Sequence, residues 1–172
     1  MSTTVAHLDP SKIIDGKLIA TKQLVEIKNT LIKEKIEPGL AVILVGNDPA
    51  SHTYVKNKIQ ACEQVGIKSS CFKLDENINQ KDVIKLIQTL NKDKEIHGIL
   101  VQLPLPNHLI TNEICDTISL AKDVDGLSAA TLGKIITVDS QRILPCTPRG
   151  IMFLLKCMAV NIVGQHLSLI HI

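Results

Sequence analysis

Aromatic residues are almost absent from this sequence. Phe, Tyr and Trp together make up 2% of the 172 residues; there is no Trp, and Tyr54 is the single tyrosine. A core built around aromatic rings is therefore excluded. Hydrophobic residues still make up 45% of the chain, which excludes a disordered protein and predicts an aliphatic core.

A strong excess of charge of either sign is also absent. The chain has 19 basic and 17 acidic residues, a net charge of +2. This balance argues against nucleic acid and anionic membranes as partners, although it suits a small anionic ligand. No apolar run is long enough to cross a bilayer. We therefore expect a small-molecule substrate, no nucleic-acid partner and no membrane partner.

Paired cysteine motifs are missing as well. The number of cysteines is odd. None of them forms a CxxC pair or belongs to a Cys/His cluster with zinc spacing. Their widely spaced positions are Cys62, Cys71, Cys115, Cys146 and Cys157. Reduced thiols in a cytosol-like compartment are the expected state. Residues 1–10 lack the layout of a secretory signal, so we predict a cytoplasmic protein, with an organellar presequence left open.

Aliphatic runs alternate with helical periodicities over the first two thirds of the chain. The runs at 40–45, 68–74 and 96–103 predict strands. An amphipathic helix carrying Leu18, Val25 and Ile32 precedes them. Three further helices are predicted: one at 51–65, one that begins after the capping residue Asn79, and one at 111–118. Alternation of this kind predicts an α/β fold with a parallel sheet in three layers.

Two later segments lack the alternation of strands and helices seen in the first part of the chain. Residues 122–144 contain Gly126, Gly133 and several polar residues, which predicts mostly loop with a possible short strand at 135–137. Thr147-Pro148 predicts a helix start, with Thr147 as the N-cap and Pro148 at the first helical position.

Gln102 follows the apolar run at 96–101 and precedes Leu103-Pro104. The prolines at 104 and 106 end the strand, which places Gln102 near its carboxyl end, where open α/β sheets bind ligands. A Gln at such a position usually bonds loop backbone. Beside Lys58, its amide oxygen would instead accept from the ammonium and influence proton transfer.

Tyr54 and Lys58 share one face of the predicted helix at 51–65. A ring beside an amine can hold a flat heteroaromatic ligand and move a proton, although this spacing is more typical of a packing pair. The same pattern occurs in short-chain dehydrogenases. Those enzymes need a glycine-rich turn after the first strand, and residues 46–51 offer one Gly and a Pro.

Asp125 is the second carboxylate of the segment 122–126. An ionised Asp only accepts hydrogen bonds, so it would select the donor-rich edge of a heterocycle. A solvated turn is the common alternative. Alternation along an extended loop predicts that Asp123 and Asp125 point the same way. A metal site is a weak interpretation because no third ligand lies nearby in the sequence.

Together these motifs resemble those of the bifunctional methylenetetrahydrofolate dehydrogenase/methenyltetrahydrofolate cyclohydrolase family. They occur in the family's order, and the resemblance runs from about Ile13 to about His166. The motif segments are 54–58, 101–106, 122–126 and 145–148. The resemblance implies oxidation of 5,10-methylenetetrahydrofolate with hydride passing to NADP, and hydrolysis of 5,10-methenyltetrahydrofolate to 10-formyltetrahydrofolate.

The same resemblance implies residue roles. Lys58 would be the central catalytic residue, Gln102 would position it, and Asp125 would anchor the pterin. Tyr54 would stack on the aminobenzoyl ring. The substrate-binding set would comprise Ser51, Tyr54, Val101 and Leu103.

The resemblance also divides the chain. It implies a tetrahydrofolate-binding catalytic domain at 1–146, a linker helix and the start of an NADP-binding domain at 147–166, and an atypical tail at 167–172. In relatives the NADP site, a closing helix and the homodimer contact lie beyond the position of His166. We therefore expect a truncated chain with hydrolysis as the surviving activity and some apolar surface uncovered. A catalytically silent fragment that binds folate or a partner, and an unrelated α/β binding module, remain as alternatives.

Overall fold

Parallel strands alternate with helices in the computed structural model, which describes residues 13–137 and 143–166. The helices are α1 (Gly16–Glu34), α2 (Pro49–Val65), α3 (Gln80–Lys92), α4 (Thr111–Asp116), α5 (Ala129–Ile136) and α6 (Cys146–Cys157). The strands are β1 (Gly39–Val45), β2 (Lys68–Leu74) and β3 (Gly98–Val101). This arrangement confirms the predicted α/β fold.

The sheet has the order β2-β1-β3, and β1 pairs in parallel with both neighbours. In this register Val42 lies between Cys71 of β2 and Leu100 of β3. Residues 41–45 of the central strand are at most 4% exposed. A strand covered on both faces has no place for a polar side chain, which explains its uninterrupted aliphatic sequence.

Successive residues of β1 pack against different layers because side chains alternate across a strand. One face joins α3 and α4 in a core that includes Ala41, Ile43, Val45, Val83, Ile87 and Ile114. The other face packs on α2 through Val42, Leu44, Val55, Leu100 and Ile59. Helices therefore cover both sides of the sheet, as the three-layer prediction requires.

Local capping determines where α2 and α3 begin. Asp48 Oδ2 accepts from the backbone N–H of Ser51 at 2.7 Å, so α2 starts at Pro49, slightly before the predicted position. The helix ends at Gly66, as predicted. Asn79 Oδ1 accepts from the N–H of Asp82 at 3.0 Å, which confirms Asn79 as the cap of α3.

Within 122–144, the prediction of loop is confirmed for residues 122–128, but the prediction of loop and a short strand after them is wrong. Residues 129–136 form α5, and residues 138–142 lie outside the described ranges. The β-branched residues at 135–137 favour a strand locally. Ser128 overrides that preference, because its Oγ accepts from the N–H of Thr131 at 3.3 Å and caps the helix.

The predicted start of α6 is also wrong. The helix begins at Cys146, with Pro145 in the capping position and no side-chain cap. Pro148 instead lies within the first turn, where its missing N–H would have had no intrahelical acceptor.

Helix α1 forms where the periodicity predicts it, but it buries none of its residues. Its apolar stripe is solvent-accessible, with Leu18 51%, Val25 54% and Ile32 67% exposed. None of the helices within the described ranges combines the length and apolar character needed to cross a membrane.

Candidate functional site

The site lies at the carboxyl edge of the sheet. Strands β1 and β3 run in parallel and end at Val45 and Val101, so both carboxyl ends reach the same edge. Helix α2 begins a few residues after β1, which brings its first turns over this edge. Ser51, Tyr54 and Lys58 are all on this helix.

Lys58 and Gln102 meet directly. Lys58 Nζ donates to Gln102 Oε1 at 3.0 Å, and both side chains are partly buried. Gln102 Nε2 donates to the carbonyl of Leu103 at 2.7 Å, so the amide is oriented with its oxygen towards the amine. The backbone N–H of Gln102 donates to Ile43 O at 2.9 Å and fixes this arrangement to the sheet. The pair is thus held from α2 on one side and from β1 on the other.

Ser51 is buried beneath the first turn of α2. The residue is 2% exposed, and within 13–137 and 143–166 no group forms a hydrogen bond with its Oγ. Its backbone N–H is used by Asp48, and this bond holds the pKa of the Asp48 carboxyl below its ordinary value. The side chain of Ser51 also lowers the pKa of Asp48, so its hydroxyl lies close to the Asp48 carboxyl at the start of α2.

The remaining predicted binding residues differ in what they offer. Tyr54 is 61% exposed, which leaves its ring free to stack on a ligand. Val101 is buried in the core, and the Leu103 carbonyl already accepts from Gln102. A cis peptide bond joins Leu103 to Pro104. Any contribution of Val101 to a pocket therefore comes from its backbone at the strand end.

Asp125 reaches this edge from a different direction. The 122–126 segment runs beside β3, where Ile99 N donates to Lys122 O at 2.8 Å and Ile99 bridges to Asp123. Asp125 itself is partly buried. Its neighbour across the site is Cys146, whose Sγ donates to Val124 O at 3.5 Å.

Cys146 links the acidic and basic sides of the site. Partial burial of the thiol, followed by the negative charge of Asp125, raises the pKa of Cys146, whereas the positive charges of Lys58 and Arg149 act in the opposite direction. The thiol therefore lies within electrostatic reach of both Asp125 and Lys58. The structure thus brings Lys58 and Gln102 into direct contact, and Asp125 and Lys58 both influence the Cys146 thiol. Sequence reasoning assigned no role to Cys146, although it belongs to the 145–148 motif.

The prediction that Asp123 and Asp125 point the same way is wrong. Asp123 is 2% exposed and accepts from the amides of Gly126 and Ser128 at 3.0 Å each. It also accepts from Thr131 Oγ1 at 2.7 Å. Asp123 is therefore committed to its own loop and to α5, whereas the neighbouring Asp125 is only partly buried.

A cavity of about 420 Å³ lies on the opposite flank of α2 and is not part of this site. It is lined by Leu44, Lys56, Ile59 and Cys71 among others, and neither Lys58 nor Gln102 borders it. Over the described parts of the chain, no three His, Cys, Asp or Glu side chains form a group able to hold a metal ion.

The turn after β1 does not fit a dinucleotide. Its single glycine, Gly46, is followed by Asn47, Asp48 and Pro49, and the side chain of Glu76 lies 3.5 Å from where a Cβ on Gly46 would stand. A pyrophosphate needs a glycine-rich turn at a helix N-terminus without a nearby carboxylate. The turn after β1 thus offers no cradle for NADP.

These features define an α/β domain with a candidate ligand site at the carboxyl edge of a parallel sheet. The catalytic-domain model of the tetrahydrofolate dehydrogenase/cyclohydrolase family matches residues 14–125. The chain therefore belongs to the tetrahydrofolate dehydrogenase/cyclohydrolase family.

Several relatives share this sequence over most of its length. The bifunctional protein FolD of Moorella thermoacetica is 48% identical over 159 residues, which cover 91% of this chain and 56% of the relative. The corresponding protein of Campylobacter jejuni is 47% identical over 156 residues. The chain spans about half the length of these curated relatives.

Solved structures agree with the fold. The bifunctional methylenetetrahydrofolate dehydrogenase/cyclohydrolase of Campylobacter jejuni superposes with a TM-score of 0.81 at 48% identity, covering 85% of this chain and 53% of that one. The enzyme of Trypanosoma brucei, solved with NADP cofactor and an inhibitor, gives a TM-score of 0.83 at 31% identity. The superposition covers 88% of this chain and 53% of the Trypanosoma brucei chain.

Proposed function

We propose that this chain is the tetrahydrofolate-binding, catalytic part of a methylenetetrahydrofolate dehydrogenase/cyclohydrolase. Family membership and the names of its relatives support the reaction class. The observation that carries the proposal is the 3.0 Å hydrogen bond from Lys58 Nζ to an amide oriented by its own neighbour. An amine held in this way is suited to a proton-transfer site.

Substrate binding divides between three side chains. The exposed ring of Tyr54 stacks on the aminobenzoyl group. Asp125 accepts hydrogen bonds from the N–H groups of the pterin, which present donors that an ionised carboxylate can take. Ser51, in the first turn of α2, supplies one more polar contact to the substrate.

Hydrolysis needs one proton-transfer group and one water. The unprotonated amine of Lys58 takes a proton from water while the water oxygen forms a bond to the methenyl carbon. The bond from that carbon to N5 then breaks, its electron pair goes to N5, and Lys58 returns a proton there. The hydroxyl that came from the water loses its remaining proton as the formyl carbonyl forms, so the products are 10-formyltetrahydrofolate and one proton. Gln102 keeps Lys58 in place through both steps by accepting from Nζ.

The oxidative half requires a nucleotide. When bound, NADP would accept the hydride from 5,10-methylenetetrahydrofolate. We assign its site to a separate domain after the catalytic domain at 1–146, with a linker helix and the start of that domain at 147–166, because the turn after β1 does not fit a pyrophosphate. A homodimer and a cytoplasmic location complete the proposal. The five cysteines, all unpaired, suit a reducing compartment.

The deciding experiment compares two lysines on the same helix. Lys58→Ala removes the proposed proton-transfer group, whereas Lys56→Ala removes an exposed lysine that borders the cavity on the other flank of α2. Hydrolysis of 5,10-methenyltetrahydrofolate is followed through the loss of its absorbance. We expect Lys58→Ala to lower the rate by about a hundredfold or more, as for loss of a general acid–base group. The Lys56→Ala variant should keep the wild-type rate.

Two results would contradict the proposal. Equal rates for Lys58→Ala and wild type would remove Lys58 from the mechanism. A folded wild-type chain that binds tetrahydrofolate without hydrolysing the methenyl compound would favour the silent, folate-binding alternative. Far-ultraviolet circular dichroism of each variant establishes folding, since a chain without Trp offers little fluorescence signal.

A further inference from the structure

We infer that Asp123 is the positioning residue for Asp125, because it holds the 123–126 loop in the conformation that presents Asp125 to the folate cleft. The inference rests on the proposed function, in which Asp125 anchors the pterin. It assigns to Asp123 a purpose distinct from that of its neighbour in the same motif: one carboxylate shapes the loop, and the other contacts the ligand.

The contacts of Asp123 use both of its oxygens. Oδ1 accepts from the N–H of Gly126 at 3.0 Å and from the N–H of Leu127 at 3.4 Å. Oδ2 accepts from the N–H of Ser128 at 3.0 Å and from Thr131 Oγ1 at 2.7 Å. A carboxylate that is 2% exposed is tolerated only when its lone pairs are satisfied in this way. Asp123 therefore gathers four donors from the turn and from the start of α5.

These bonds enclose Asp125. The hydrogen bond from Gly126 N to Asp123 Oδ1 closes a ring that contains only Val124 and Asp125 between its ends. Gly126 has a φ of +71°, a conformation that favours glycine. A Cβ on Gly126 would also lie 3.2 Å from Pro145 N, so the turn is pressed against the start of α6. The backbone of Asp125 consequently has little freedom while Asp123 keeps its partners.

The other end of the loop is tied down independently. Lys122 O accepts from Ile99 N at 2.8 Å. Lys122 Nζ donates to Leu90 O at 2.9 Å and to Asp93 O at 2.6 Å, at the end of α3. Residues before Asp125 are thus fixed to β3 and α3, and Asp123 fixes the residues after it to α5. Asp125 lies between these two anchors.

The charge of Asp123 is part of this arrangement. Burial alone would raise the pKa of Asp123, but hydrogen bonds from Ser128, Thr131 and the backbone outweigh it and hold the pKa below its ordinary value. At neutral pH Asp123 is therefore ionised, so it accepts hydrogen bonds and donates none. In Asp123→Asn, the Nδ2 group would face the donors of Ser128 and Thr131, and at least one of these bonds would be lost.

The test is a double-mutant cycle on ligand affinity. The dissociation constant of tetrahydrofolate is measured by calorimetry for wild type, Asp123→Asn, Asp125→Asn and the double variant. We expect Asp123→Asn to weaken binding roughly tenfold or more, the effect of losing one charge-assisted hydrogen bond. In the Asp125→Asn background, Asp123→Asn should change the affinity little, because the carboxylate it positions is already absent.

Asp116→Asn provides a matched control. Asp116 Oδ1 accepts from Ala129 N at 2.7 Å, so it bonds the same helix α5 from an exposed position outside the loop. Its replacement should leave the affinity for tetrahydrofolate unchanged. Should Asp123→Asn fail to fold, Thr131→Val removes a single donor to Asp123 and should weaken binding in the same direction by a smaller factor. Wild-type affinity in folded Asp123→Asn, or full additivity with Asp125→Asn, would overturn the inference.

A readout without folate separates this inference from the proposed function. The pH dependence of alkylation at Cys146, followed by mass spectrometry of its peptide, reports the charge of Asp125 nearby. Displacing Asp125 in Asp123→Asn should lower the apparent pKa of the Cys146 thiol, and Asp116→Asn should not. Failure of wild type to bind tetrahydrofolate would overturn the proposed function alone, whereas an unchanged Cys146 profile in Asp123→Asn would overturn the positioning role.

Discussion

Replacing Gly98 with alanine probes the packing beneath the 122–126 segment. A Cβ at this position would stand 2.5 Å from Val124 Cγ1 and 3.3 Å from Leu40 Cδ1. Val124 is β-branched and has few side-chain rotamers with which to move away. Because Gly98 pairs with Leu40 in the sheet, β3 is held in place and the loop carrying Val124 must shift instead.

The expected cost follows from overpacking. Forcing one methyl group into a filled space costs about 1–3 kcal/mol, so we expect Gly98→Ala to lower the free energy of unfolding by about 2 kcal/mol. For a chain of this length, that corresponds to a fall in Tm of about 4–8 °C. Val124→Ala alone removes two methyl groups, which costs about 1.6 kcal/mol in lost burial.

The double variant Gly98→Ala/Val124→Ala distinguishes this explanation from a general weakening of β3. The new methyl group would occupy the space that Val124 leaves, so the double variant should be about as stable as Val124→Ala alone. Urea unfolding followed by circular dichroism measures all four stabilities. If the two single effects add to about 3.6 kcal/mol in the double variant, the contact between Gly98 and Val124 is not the cause. A Gly98→Ala variant as stable as wild type would refute the reasoning outright.

Three further results are expected. Lys122→Met should lower the free energy of unfolding by about 1 kcal/mol, because Leu90 O and Asp93 O lose a donor; unchanged stability in urea would contradict this. The contribution of Asp123 to the free energy of unfolding should be complete above the ordinary carboxyl pKa and should decline as pH falls through the lowered pKa of folded Asp123. A pH series should show a shallower acid slope for Asp123→Asn, and identical slopes would argue against a lowered pKa. Ile32→Lys should change the free energy of unfolding by less than about 0.5 kcal/mol because Ile32 is 67% exposed; a loss of several kcal/mol would mean that α1 is covered in solution.

Local signals were sufficient for the sheet and for the helices that border it. The aliphatic run of β1 predicted a strand covered on both faces, and residues 41–45 are buried. Asn79 predicted the start of α3 through a bond between residues three apart. These features depend on neighbours in sequence, so the sequence alone could reveal them.

Helix α5 depends on more distant partners, which explains why it was not predicted. Its start is organised by Ser128, and Ser128 is held by Asp123 from five residues earlier. The β-branched residues at its end favour a strand when considered alone. Helix α1 shows the complementary limit, because periodicity predicts a helix with an apolar face but contains no information on what covers that face.

The site shows the same division between local and distant information. Lys58 and Gln102 could be paired from the sequence because helix α2 and strand β3 must both reach the carboxyl edge of a parallel sheet. The difference between Asp123 and Asp125 could not be predicted from the sequence, because two carboxylates separated by one residue are equivalent until their partners are known. Gly126, Ser128 and Thr131 surround the first carboxylate with donors. A motif with two acidic residues therefore does not imply two ligand contacts: the carboxylate whose hydrogen bonds are already satisfied within the protein builds the loop, and the other remains available to a substrate.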